Sequence, residues 1–142
     1  MVHPFFNPAQ AAAFNALAPK TDSSFEVRYY HLHGLGGMSR TLIVIGTGGH
    51  SRLTNVHASD WPEYKTTTPF GVMPLLTETS ADGKTKIQIA ESDAIERYLA
   101  RKFGLFGNGS VFEEVLVNTF ANNTQALILE IFNKFALVED AE

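Results

Sequence analysis

Thr68-Pro69-Phe70-Gly71-Val72-Met73-Pro74-Leu75-Leu76 is the stretch that decides how the rest of the chain is read. Pro69-Phe70-Gly71 predicts a turn, two apolar residues follow, and Pro74 then enters an apolar run. A proline just inside a strand cannot donate to the ladder. An X-Pro bond is also the one peptide bond whose cis form costs only about 0.5–1 kcal/mol over trans. The stretch therefore has two readings. It is an ordinary edge-strand proline, or Met73-Pro74 is a cis peptide whose preceding backbone groups stay open to a ligand.

With 142 residues, the chain has the size of one domain, or of one domain plus a piece of another. It is 44% hydrophobic and 18% charged, which suits a packed core and excludes a disordered chain. The net charge of -4 comes without a basic stripe, which argues against nucleic acid as a partner. There is no cysteine, so disulfides, zinc-thiolate sites and a cysteine nucleophile are all excluded. Any thiol chemistry must use a thiol that arrives with the substrate. No apolar run reaches the roughly 18 residues of a membrane span. Met1 to Lys20 has neither a basic start nor a continuous apolar centre and does not read as a signal peptide. Without such a signal, the formal sequons Asn108-Gly109-Ser110 and Asn122-Asn123-Thr124 are read as chance matches.

Working outward, residues 1–24 read as a flexible extension with one short helix at 9–17. Phe25 to Leu32 is the first expected strand, with Glu26 and Arg28 alternating against Phe25, Val27 and Tyr29. Gly34-Leu35-Gly36-Gly37 ends it, and a helix is expected from Met38 to Ile45, closed by Gly46 and Gly48-Gly49. Arg52 to Val56 is a second strand. A short helical turn follows within 58–66, capped by Ser59 or Asp60 with Pro62 in its first turn. Met73 to Glu78 and Thr85 to Ala90 form a hairpin around Ala81-Asp82-Gly83-Lys84. Ser92 then caps a helix over Asp93 to Phe103, with Ala94, Ile95, Tyr98 and Leu99 on one face. The order predicts an α/β fold, a four-stranded mixed sheet with flanking helices. After a Gly107-Asn108-Gly109 linker, a second long helix runs from Ser110 to Leu137. It is apolar nearly all round, through Val111, Phe112, Val115, Leu116, Phe120, Leu127, Ile128, Leu129, Ile131, Phe132 and Phe135. Such a helix wants neighbours on several sides.

Several features carry candidate chemistry. Gly34-x-Gly36-x-x-Ser39 mimics a dinucleotide fingerprint but lacks the third glycine and the later acidic residue, so a plain strand-to-helix connection is preferred. His31 and His33 would share a strand face. As a metal pair they lack a further ligand, since His50 and His57 have no fixed relation to them. Tyr29 falls at the C-terminal end of the first strand, where open α/β sheets present ligand sites; a core aromatic is the alternative. Trp61 and Lys65 lie four apart and could share a side of one helical turn, suited to a carboxylated ligand or to simple packing. Glu91-Ser92 opens the clearest helix, whose first-turn amides offer an anion site or merely an N-cap.

Taken together, residues 25–135 resemble the glutathione transferase family, nearest its sigma-like class. The carriers are Tyr29, Asp60-Trp61-Pro62-Glu63-Tyr64-Lys65, Pro69-Phe70-Gly71-Val72-Met73-Pro74 and Glu91-Ser92-Asp93-Ala94-Ile95-Glu96-Arg97-Tyr98-Leu99, in this order. The resemblance implies a thioredoxin-like glutathione-binding domain over 25–106, then a linker and the first helix of an incomplete helical domain over 107–142. It implies that Tyr29 is catalytic and holds the glutathione thiolate, and that Trp61 and Lys65 grip the glycine end. The backbone of Met73 before cis-Pro74 would pair with the cysteinyl unit, with Val72 beside it. Glu91 and Ser92 would take the γ-glutamyl end. Glutathione is then a co-substrate attacking a small electrophile, no metal takes part, and neither nucleic acid nor membrane is a partner. The expected setting is cytoplasmic detoxification, with a homodimer where the helical domain is complete.

The energetics fit that assignment. A free thiol of pKa about 8.5 is only about 3% thiolate at pH 7. A two-unit drop needs about 2.7 kcal/mol of preferential stabilisation, which one charge-assisted hydrogen bond and a helix-end field can supply. The tripeptide would add to the sheet by backbone pairing. There are departures from the family. Leu35 and Gly36-Gly37 replace the usual charged stretch after the first strand, Gln125 stands where an Asp is usual, and the Thr79 to Lys86 hairpin is long. The alternative from another class is a non-catalytic thioredoxin-fold binding or dimerisation module, with the apolar last helix as its interface.

Overall fold

The computed structural model describes residues 7–49 and 52–139, and these divide into two compact units between Leu105 and Phe106. The alternation read around Phe25 forms the central strand of the first unit. Phe25, Val27 and Tyr29 of β1 (Ser24–Tyr29) point into the core, and Glu26 and Arg28 point away. β1 pairs in parallel with β2 (Arg52–Asn55) and antiparallel with β3 (Leu75–Thr79), which pairs antiparallel with β4 (Lys86–Ala90). The sheet order is β2-β1-β3-β4. A parallel neighbour needs a crossover, and α2 (Gly37–Thr47) supplies it between β1 and β2.

β1 is shorter than the expected Phe25 to Leu32. The Leu32 N–H turns back onto the Tyr30 carbonyl at 2.8 Å, and a 3-10 turn, Gly34–Gly36, leads into α2. His31 and His33 therefore do not share a strand face. α2 runs past Gly46 to Gly48, whose left-handed φ of 65 ends it. Gly46 is an internal contact instead of a stop: a Cβ there would lie 2.2 Å from the Phe103 ring. Pro74 lies immediately before β3, not inside it.

One face of the sheet packs on α2 and on α4 (Ser92–Lys102). Phe25, Val27 and Tyr29 from β1 and Leu76 from β3 meet Ile43 of α2 and Ile95 and Leu99 of α4. The opposite face is more polar. α3 (Trp61–Lys65) reaches it, with the Arg28 guanidinium 5.0 Å from the Tyr64 ring centroid. The β3–β4 hairpin turns as expected, with the Ser80 hydroxyl donating to Asp82 at 2.6 Å and the Lys84 N–H to the same carboxylate at 3.1 Å.

The short helix expected at 9–17 is α1 (Pro8–Leu17), and it is packed at its C-terminal end. Asn7 caps it by accepting the Gln10 N–H at 3.0 Å, and Pro8 occupies the first helical position. Its last residue, Leu17, is buried. The Lys102 ammonium donates to the Leu17 carbonyl at 2.7 Å, closing the negative end of the helix dipole. That ammonium also lies 2.8 Å from Glu78 Oε1, close enough for an ion pair but off-axis for a hydrogen bond. The Tyr98 hydroxyl donates to Glu78 Oε2 at 2.5 Å. Both charges of this pair are fully buried, so each depends on the other.

The second unit is α5 (Val111–Glu139) with its lead-in. Ser110 caps the helix by accepting the Glu113 N–H at 3.2 Å, Glu113 accepts the Asn108 N–H, and Asn108 Oδ1 accepts the Ser110 N–H at 3.0 Å. The helix is apolar as expected. Val111 and Phe112 are 79% and 75% exposed, and Phe120 is exposed as well. The Phe135 side chain lies outside the described residues.

Candidate functional site

The ladder register gathers the singled-out residues at one end of the sheet. Tyr29 pairs with Asn55 across the parallel ladder. Arg28 pairs with Leu75, so the next step brings Tyr29 beside Pro74; Leu75 pairs with Ala90, so Pro74 comes beside Glu91. Asn55, Tyr29, Pro74 and Glu91 thus form one transverse row, at the C-terminal ends of β1, β2 and β4 and the start of β3.

Tyr29 is only 6% exposed, yet its hydroxyl is satisfied at the core's edge, accepting the Leu35 N–H at 3.1 Å. The core-aromatic alternative describes the Tyr29 ring, which carries a polar end at the edge of the core. The 3-10 turn aims Leu35 at the phenol, and Gly36 lets it come close, since a Cβ there would sit 2.6 Å from Tyr29 Cδ1. Burial pushes the phenol pKa up. The Leu35 amide and the Arg40 guanidinium pull it back in part, and Tyr30 adds a smaller upward push. The phenol keeps its proton at neutral pH, and an oxygen already accepting from an amide has its O–H to give.

Arg40 of α2 donates to the Leu32 carbonyl at 2.8 Å, to the Tyr30 carbonyl at 3.0 Å and to Asn55 Oδ1 at 3.2 Å. Polar support for Tyr29 comes from the Leu35 backbone amide and from Arg40. Sequence reasoning missed both. A backbone donor has no sequence signature. Arg40 had one: a cation in the first turn of a helix opposes the dipole and calls for specific partners.

Pro69–Gly71 forms a 3-10 turn with Phe70 at φ 59 and Gly71 at φ 62. Val72 is extended, and the Met73-Pro74 bond is cis. Met73 packs against the core cluster that holds Tyr29. α3 approaches from the side. The Trp61 ring lies 6.4 Å from that of Tyr30, and the Lys65 stem passes over Gly71, within 3.3 Å of where a Cβ would be. Asp60 holds the N-cap position of α3 without a side-chain capping bond, and Pro62 follows in its first turn as expected.

Glu91 is the N-cap of α4, at φ 73 and ψ 115, a sparsely populated backbone region for a non-glycine residue. Ser92, expected as the cap, is the first helical residue and is buried. The start of α4 thus lies beside Pro74 in the row.

The histidines do not converge. His31 Nδ1 lies 3.0 Å from the Asn55 amide and His57 Nδ1 lies 2.8 Å from the Ser59 hydroxyl; His33 lies against Gly37, and His50 is outside the described residues. Among the described residues no three His, Asp or Glu could share a metal ion, and no helix is long and apolar enough to cross a membrane. A shallow groove of about 620 Å³, lined by Tyr30, His31, Leu32, Asn55, Val56 and His57, opens beside the row.

No protein-family model matches the chain. Curated proteins do. It is 35% identical over 107 residues to "Probable glutathione S-transferase 7" of Caenorhabditis elegans, covering 75% of this chain and 48% of that protein. It is 39% identical over 100 residues to "Glutathione S-transferase 2" of Manduca sexta, covering 68% and 46%. Among solved structures, the sigma class enzyme of Fasciola hepatica superposes with a TM-score of 0.69 at 29% identity, over 79% of this chain and 52% of that one. The chain spans about half the length of the curated relatives it matches.

Proposed function

This chain belongs to the glutathione S-transferase family, and from that premise we propose that its first unit binds glutathione and activates the thiol for attack on a small electrophile. The observation that carries this is the row of Tyr29, cis Met73-Pro74 and Glu91-Ser92 at one end of the sheet.

In this reading the Met73 backbone pairs with the cysteinyl unit as an added strand, with Val72 beside it. Trp61 and Lys65 hold the glycine carboxylate, the ammonium as a point charge. Glu91 takes the γ-glutamyl ammonium, and Ser92 with the first-turn amides of α4 takes its carboxylate. The thiol loses its proton to solvent, and the Tyr29 O–H donates to the resulting sulfur anion. The Leu35 N–H on the phenol oxygen polarises that O–H, and the Arg40 field favours negative charge nearby. The thiolate sulfur forms a bond to the electrophilic carbon, and the leaving group departs with its electron pair. The groove beside Tyr30 offers a wall for the electrophile. A homodimer working in cytoplasmic detoxification is the setting we infer for this chemistry, and the mass of the chain in solution tests the pairing.

Calorimetric titration with glutathione tests the binding. Ser92→Ala is expected to weaken affinity about ten- to hundredfold, the loss of one hydrogen bond to a charged group. Wild-type protein that does not bind glutathione would overturn the reading. The exposed apolar face of α5 favours a second reading, a thioredoxin-fold association module. A tight oligomer that ignores glutathione would select it.

A further inference from the structure

We propose that Arg40 is a positioning residue for the Tyr29 hydroxyl, an inference that rests on the glutathione reading above. Its guanidinium donates to three acceptors on two elements. Nη1 takes the Leu32 carbonyl at 2.8 Å, and Nη2 takes the Tyr30 carbonyl at 3.0 Å and Asn55 Oδ1 at 3.2 Å. Tyr30 and Leu32 belong to the segment that leaves β1 and leads to Leu35, whose N–H meets the phenol. Asn55 ends β2 and is the ladder partner of Tyr29. Arg40 itself stands on α2. One planar fork therefore locks the exit of the Tyr29 strand, the neighbouring strand and the covering helix into one geometry. The guanidinium carbon also lies 5.7 Å from the Tyr29 ring centroid.

Arg40 acts through Tyr29 and is given no contact with a reacting atom. The groups acting on the phenol are Arg40 from α2 and the Leu35 amide from the turn, which favour its ionised form, and Tyr30 from its own strand, which opposes it. A lysine would keep the charge but not the fork, because an ammonium on a flexible stem cannot hold three acceptors in a plane. Fixing the loop and supplying a positive field are thus separable by substitution.

The test is amide hydrogen exchange at Leu35, without glutathione, in wild type, Arg40→Lys, Arg40→Gln and Asn55→Ala. Leu35 is expected to exchange about five- to tenfold faster in both Arg40 variants, as for the loss of one hydrogen bond, and less so in Asn55→Ala. Val27, in the core of β1, is expected to keep its protection. A Leu35 amide that stays protected, or loses protection only in step with Val27, overturns the proposal. If Arg40→Gln does not fold, Arg40→Lys decides alone. With glutathione added, the bound thiol pKa is expected to rise in Arg40→Gln and to return toward wild type in Arg40→Lys. Wild-type protein that shows the exchange effect but binds no glutathione refutes the functional reading and leaves the positioning of Tyr29 standing.

Discussion

Tyr29 and Leu35 meet at the end of β1, where the Leu35 N–H donates to the phenol oxygen at 3.1 Å. The contact holds the hydroxyl at the edge of the core, beside the row of Asn55, Pro74 and Glu91. It depends on a glycine one residue further on.

Gly36→Ala tests that dependence. The added Cβ would meet Tyr29 Cδ1 at 2.6 Å, and overpacking of this kind costs about 1–3 kcal/mol. We expect a lower Tm together with weakened glutathione binding. Gly46→Ala, which would drive a Cβ into the Phe103 ring, is expected to lower Tm comparably and leave glutathione affinity in the protein that remains folded near wild type. Equal effects of both on affinity would contradict a specific role for Gly36.

Lys102→Met tests the buried pair behind the sheet. It leaves the Glu78 carboxylate buried with the Tyr98 hydroxyl and removes the donor to the Leu17 carbonyl. Removing one partner of such a pair costs about 3–5 kcal/mol. Urea unfolding of the variant and of Glu78→Gln/Lys102→Met checks it, and the double variant is expected to recover part of the loss. A single variant as stable as wild type would show that the pair contributes nothing.

Glu96 on α4 supplies a pH dependence. Burial, with a smaller push from Asp93 that Arg97 partly offsets, raises its carboxyl from 4.5 to about 7. The folded state binds this proton more tightly than the unfolded chain. Its stabilising contribution is therefore complete below about pH 4.5 and is lost as the pH rises through 7. The group is partly exposed, so after discounting for solvent the effect is on the order of 1 kcal/mol. Glu96→Gln is expected to be more stable than wild type at pH 8 by about that amount, and the gap should close near pH 4.5. A gap independent of pH would sink the assignment.

The strands and helices were legible because their periodicities are local: period two at Phe25, Val27 and Tyr29, and the apolar face of Ile95 and Leu99. Cis Met73-Pro74 was legible because few residue pairs admit that geometry. What escaped were contacts between residues far apart in sequence. Lys102 on Leu17, 85 residues away, packs the expected helix at 9–17 onto the sheet unit. Arg40 on Asn55 and the Tyr30 and Leu32 carbonyls ties the site together. The cap of α4 was misplaced by one residue. Ser92 has the favoured N-cap chemistry, but the backbone turns at Glu91 through a positive φ that composition does not announce.

The most direct measurement is the thiol pKa of bound glutathione, followed by thiolate ultraviolet absorbance in wild type and Tyr29→Phe. The phenol donor predicts a wild-type value about two units below the free thiol's 8.5, and a return toward 8.5 in the variant as about 2.7 kcal/mol of thiolate stabilisation is lost. Bound glutathione with an unshifted thiol, or a shift that survives Tyr29→Phe, would contradict it.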